Sequence, residues 1–151
     1  MPRTFRDRAF QAWWRMQRPM TLGVRGLVRD SAGRILLVKH TYTPGWHFPG
    51  GGVEKGETAL LSLARELEEE AGVRPTEPPI LLGVFANARN FPNDHVLLFE
   101  INTWTEIPAT ARGEIADRRF FALDDLPADV TAGTRRRLDE IAGRAPRSEE
   151  W

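Results

Sequence analysis

Residues Gly51–Val73, GGVEKGETALLSLARELEEEAGV, decide how this chain must be read. Glycines give way to a segment in which Glu66, Glu69 and Glu70 stand at i, i+3 and i+4, the spacing that gathers side chains on one helical face. Carboxylates that close repel one another and hold their charge only near compensating cations. Hard oxygen ligands at this density suit Mg²⁺ or Mn²⁺, ions that in turn hold phosphates. Leu60, Leu63, Ala64, Leu67 and Ala71 form an apolar stripe displaced from the acids, so a helix over Thr58–Ala71 buries one face and presents carboxylates on another. Thr58 is its candidate cap and Gly72 its stop. The residues read as a divalent-metal site for phosphate chemistry.

Working outward, Thr21–Arg29 alternates as a half-buried strand, Asp30–Gly33 signals a turn, and Ile35–Val38 is a continuous apolar run. Together they predict an antiparallel hairpin. Beyond the glutamates, Ile80–Ala86 and His95–Trp104 are strand candidates, and Phe120 and Phe121 belong to a short strand. A last helix spans about Val130–Ala142, with Leu138 and Ile141 inward. Residues 144–151 read as a flexible tail. Residues 1–19 are an Arg-rich helical extension, with Phe10, Trp13, Trp14 and Gln17 on a helical repeat. The expectation is that this helix lays its tryptophans on the domain; attachment to a membrane surface is the alternative.

The 151 residues suffice for one domain with a real core, and no apolar run approaches the length of a membrane span. Lys plus Arg and Asp plus Glu are equal at 21 each, which argues against an extended nucleic-acid footprint. The absence of cysteine excludes disulfides, thiol catalysis and thiolate metal sites, and fits a cytoplasmic protein.

The central stretch also matches G-x5-E-x7-R-E-U-x-E-E-x-G-U, with U aliphatic, at Gly51, Glu57, Arg65, Glu66, Leu67, Glu69, Glu70, Gly72 and Val73. A chance match at this many positions is on the order of one in ten million. The chain thus resembles the Nudix hydrolases. Periodicity alone gives one domain of α/β or α+β class; the resemblance implies an α/β/α sandwich around a mixed central sheet. It implies Glu66, Glu69 and Glu70 as metal ligands, with the carbonyl of Gly50 beside them. Glu66 is either a ligand or the general base, Glu57 supports the metal shell, and Arg65 pins a carboxylate. Glu114 lies where relatives place a further loop carboxylate, the alternative base. Candidate substrate contacts are Lys39, Arg25, His47 and His95.

The activity implied is Mg²⁺-dependent hydrolysis (Mn²⁺ substituting) of a nucleoside diphosphate derivative: a nucleotide sugar, a nucleoside triphosphate or an oxidised one. Arg89 stands where ADP-ribose-specific members carry a proline, and the short motifs of coenzyme A and NADH cleavage are missing. A nucleotide-sensing domain without catalysis and an RNA 5′-pyrophosphohydrolase remain as alternatives. Dimers are frequent among relatives, which leaves a homodimer open.

Overall fold

The structure is a computed structural model describing residues 5–17, 19–111 and 113–151. Of the expected extension over residues 1–19, residues 1–4 and 18 lie outside the described residues. The elements are α1 (Phe5–Gln17), β1 (Thr21–Val28), β2 (Ile35–His40), β3 (Trp46–His47), β4 (Gly50–Gly52) and α2 (Ala59–Glu66). The chain winds on from α2 into a π-helical turn (Leu67–Ala71). Then follow β5 (Val73–Pro75), β6 (Ile80–Ala86), β7 (Asp94–Ile101), β8 (Trp104–Glu106), β9 (Ile115–Phe121) and α3 (Ala132–Ile141).

The expected hairpin does not form. After a single antiparallel bridge between Arg29 and Ile35, β1 and β2 part company. β1 runs parallel to β7 over its whole length, Thr21 beside Asp94 through Val28 beside Ile101. That pair lies inside a mixed four-stranded sheet of order β4-β1-β7-β6. β2 instead enters the antiparallel sheet β3-β2-β9, and β5 pairs with β8. β2 is buried along most of its length and β1 over its second half, and a hairpin facing solvent on one side would leave every second residue of Ile35–Val38 in water. Separate sheets give each strand two covered faces.

Alternation along β1 and β7 then builds two cores. Val24, Val28, Phe99 and Ile101 pack with Leu63, Leu67 and Ala71. On the other face Leu27 and Leu98 join Leu37, Phe48, Phe85 and Leu138 of α3. α2 and α3 therefore cover opposite faces of the mixed sheet, the α/β/α sandwich expected. Burial of each such leucine contributes about 2–3 kcal/mol.

Two terminal segments depart from expectation. Residues 144–151 dock: Ala86 on the β6 edge exchanges backbone hydrogen bonds with Glu149 and Trp151, and the Trp151 indole packs 6.0–6.2 Å from the rings of Phe85 and Phe48. A polar Ser-Glu-Glu run reads as a frayed end, but the aromatic after it finds a slot that Gly133, lacking a Cβ, leaves open. At the other terminus α1 does not lay its aromatic residues inward. Phe10 is 58% and Trp13 53% exposed, and the rings of Phe10, Trp13 and Trp14 cluster with one another.

Candidate active site

The site forms where β4 meets α2. Thr58 caps the helix, its hydroxyl accepting from the Leu61 N–H at 3.2 Å. The carbonyl of Gly52 accepts from the Ser62 hydroxyl at 3.0 Å, tying the glycine strand to the first turn. Ser62 is thereby drawn inward while Leu60, expected in the buried stripe, is half exposed. After Glu66 the helix widens into the π turn, closed by the Gly72 N–H donating to Leu67 O. Such turns occur often at functional sites. Here the Glu69 carbonyl accepts from the N–H groups of Thr110 and Ala111, and Arg118 donates to the Ala71 carbonyl. Gly72 ends the helix in the left-handed region, at φ 62°.

The wide turn sends Glu70 into the protein. Only 5% exposed, it accepts from His40 Nε2 at 2.7 Å and from the Gly50 N–H at 3.0 Å. Glu66 reaches the same strand: a Cβ on Gly51 would meet its carboxylate, so a side chain there would push that carboxylate away. Gly50 holds φ at +147°, and a Cβ there would strike the Val24 carbonyl. Arg25 closes this corner, donating from Nη1 to the carbonyls of Phe48 (3.1 Å) and Gly50 (2.9 Å).

Arg65 organises the acids outside that corner. Its Nε and Nη2 fork onto both oxygens of Glu57 at 2.9 and 3.1 Å, while Nη1 donates to Glu66 at 2.8 Å and more distantly to Glu69 at 3.4 Å. The fork holds the Glu57 carboxyl down to about 2. Glu66 behaves oppositely. Burial pushes its pKa upward, Arg65 opposes this, and repulsion from Glu70 and Glu69 adds to the rise. Burial lowers the Arg25 guanidinium below its usual range, against the pull of Glu70 and Glu66.

Glu57, Arg65, Glu66, Glu69, Glu70, Gly50 and Arg25 thus come together. Glu114 is exposed on the loop before β9; its carbonyl accepts from the Thr41 N–H, and its charge helps raise the Tyr42 phenol after the larger effect of burial. His47 lies 5.2 Å from His40, ring to ring, and is lowered to about 4 by burial and then by Arg25. Lys39 is not brought to the acids: neighbours on a strand point to opposite faces, and its ammonium pairs with Asp129 at 2.7 Å. His95 sits in a separate crevice with Gln17, Pro19, Met20 and Asn93. Sequence reasoning missed His40. It is the last residue of a buried strand, and its only signal in the sequence is a titratable group two places beyond the apolar run Ile35–Val38.

The donor chemistry suits a hard divalent ion: Glu66 is destabilised as an anion by burial and then by Glu70 and Glu69, a strain that a cation relieves. Glu66, Glu69 and Glu70 with the Gly50 carbonyl would hold it. Among the described residues no group of three acids or histidines converges as a ready-made cage. Arg65, His40 and Arg25 engage these oxygens instead.

A NUDIX domain family pattern matches residues 19–141. The chain belongs to the Nudix family. Its fold resembles that of a MutT NUDIX hydrolase from Burkholderia pseudomallei, with TM-score 0.69 and 30% identity, covering 80% of this chain and 97% of that one. A UDP-X diphosphatase shares the fold at TM-score 0.59 and 24% identity, covering 93% of this chain and 74% of that one. An RNA pyrophosphohydrolase from Halorhodospira halophila (strain DSM 244 / SL1) is 42% identical over 55 residues, 36% of this chain and 30% of that protein. The chain spans about a third of the length of the curated relatives it matches.

Proposed function

We propose that this Nudix protein hydrolyses the diphosphate bond of a nucleoside diphosphate derivative (a nucleotide sugar, a nucleoside triphosphate or an oxidised one), using Mg²⁺ with Mn²⁺ as a substitute. The observation that carries the reading is the complete acidic set around Gly50 and Gly51, with Glu70 driven inward by the wide turn and Glu66 packed against the glycine strand. Bound there, the ion neutralises phosphate oxygens and lowers the pKa of water.

The chain's own groups supply the rest. Glu69, Glu70, Glu66 and the Gly50 carbonyl hold the ion; Glu57 and Arg65 fix the carboxylates so that little reorganisation remains. Where Glu66 does not itself ligate the ion, it takes the proton of the attacking water; Glu114 is the alternative base. The water oxygen bonds to one phosphorus and the bridging P–O bond breaks. Its electron pair leaves on the second phosphate. The products are a nucleoside monophosphate and phospho-X, or pyrophosphate from a triphosphate. This reading assigns contacts with substrate oxygens to Arg25, beside Glu66 and Glu70, and to His47, whose pKa burial lowers to about 4.

A hydrolysis screen with Mg²⁺ over nucleotide sugars, nucleoside triphosphates, oxidised nucleotides and dinucleoside polyphosphates tests this. Turnover of one class well above the others is expected; no product from any class would overturn the reading. The relatives named RNA pyrophosphohydrolase favour a second reading, removal of pyrophosphate from RNA 5′ ends. The balanced charge of the chain weighs against it. Salt-sensitive turnover of a triphosphorylated oligonucleotide, exceeding that of any mononucleotide, would establish it. A sensing domain without catalysis is disfavoured because none of the acids is eroded.

A further inference from the structure

The chain's neutrality hides a separation. Residues 1–20 contain Arg3, Arg6, Arg8, Arg15 and Arg18, five of the 21 basic residues, but of the 21 acidic residues only Asp7; the segment carries net +4 and the remainder −4. α1 lies within this segment and exposes large apolar side chains: Met16 at 75%, Phe10 at 58% and Trp13 at 53%, with Met20 beyond its end at 65%. At 100° per residue, Met16, Trp13, Phe10 and Trp14 fan across about 160° of the helix, an arc that sequence position also gives to Gln17 and Arg6.

We propose that α1 docks the protein on an anionic lipid surface, its aromatic and methionine arc entering the headgroup–acyl boundary while the arginines meet lipid phosphates. The charge pattern selects this occupant. A net +4 segment is attracted to a negative leaflet, whereas the −4 remainder is repelled, so only the helix approaches. Tryptophan suits that boundary because one end of the ring is apolar and the other polar. Arginine can bury its stem there and keep its head among phosphates. Single-stranded RNA fits less well: base stacking needs open ring faces, and Phe10 and Trp13 stack on each other at 6.2 Å with Trp14 edge-on to both. A second copy of the chain would set two +4 helices against each other.

The test is co-sedimentation of the full chain with vesicles of phosphatidylcholine alone and with about a third phosphatidylglycerol. Partition should be at least about tenfold stronger on the anionic vesicles, since each surface arginine is worth about fivefold. It should fall at least about tenfold between low and 0.5 M NaCl. Phe10→Ala/Trp13→Ala should lose at least about tenfold while keeping its urea midpoint, because both rings are exposed in the folded chain. Three results would overturn the proposal. One is no binding to anionic vesicles, or equal binding to both lipids. Another is an oligonucleotide affinity that exceeds the lipid affinity and vanishes in the double variant. The third is a dimer that this variant splits, without lipid binding in the parent. None of these readouts depends on hydrolysis, so the lipid result and the proposed activity stand or fall separately.

Discussion

Replacing Glu70 by glutamine separates its role in the fold from its role in chemistry. Each oxygen of this carboxylate has one partner, His40 Nε2 at 2.7 Å and the Gly50 N–H at 3.0 Å. The amide side chain keeps the volume and one carbonyl oxygen. If that oxygen faces Gly50, the new amide N–H points at His40 Nε2, which can accept once the imidazole carries its proton on Nδ1. The Gly50 N–H and His40 Nε2 then both keep a partner, and Glu70→Gln should cost only about 1 kcal/mol, the loss of charge assistance. Glu70→Ala leaves both the Gly50 N–H and His40 without a partner, at about 1–3 kcal/mol each, or about 2–6 kcal/mol in all. Turnover should respond differently. Either variant removes the inward negative charge proposed to hold the ion, so kcat should fall at least about 10²-fold in both. Urea midpoints from circular dichroism, paired with phosphate release at saturating Mg²⁺, measure the two effects independently. A Glu70→Gln protein with turnover within about threefold of the parent, or with a stability loss as large as that of Glu70→Ala, would refute the reasoning.

Trp151→Ala should destabilise the domain by about 1.5–3 kcal/mol, short of the full cost of a buried tryptophan because the side chain is only partly buried; a urea midpoint shift checks it. For His47, whose folded pKa is lowered to about 4, the unfolded chain binds more protons between about 6.5 and 4. Stability should therefore fall as pH drops through that window, and His47→Gln should flatten the slope in urea titrations from about pH 7 to 4.

Local signals carried much of this structure. The Thr58 cap, the Gly72 stop, β6 and the helix over 132–141 all follow from patterns contained within a few turns or one strand. The failures involve partners distant in sequence. The alternation of β1 says which side of it is apolar but nothing about pairing, and its parallel partner lies some seventy residues away at Asp94–Ile101. A short turn at Asp30–Gly33 makes a hairpin look natural; continuous burial of Ile35–Val38 was the contrary sign. At the site, i, i+3, i+4 spacing correctly grouped three glutamates but assumed a regular helix. It could not show that Glu70 turns inward, and so could not find His40, which waits for it on another sheet. Lys39 and His40 illustrate the same limit: a strand's alternation puts them on opposite faces without saying which face holds the chemistry.

The π turn also implies that length matters more than composition in this part of the helix. Five residues are wound where a regular spiral would seat fewer, so removing one between Leu67 and Ala71 would let the backbone relax into ordinary winding. Residues outside the turn would keep nearly their present faces, because the wide turn seats one residue more over about the same rotation. Within it the acids would be re-phased, and the carboxylate now meeting His40 would lose the winding that sends it inward. Point changes here alter one contact at a time; a single-codon deletion would remove the device that aims Glu70.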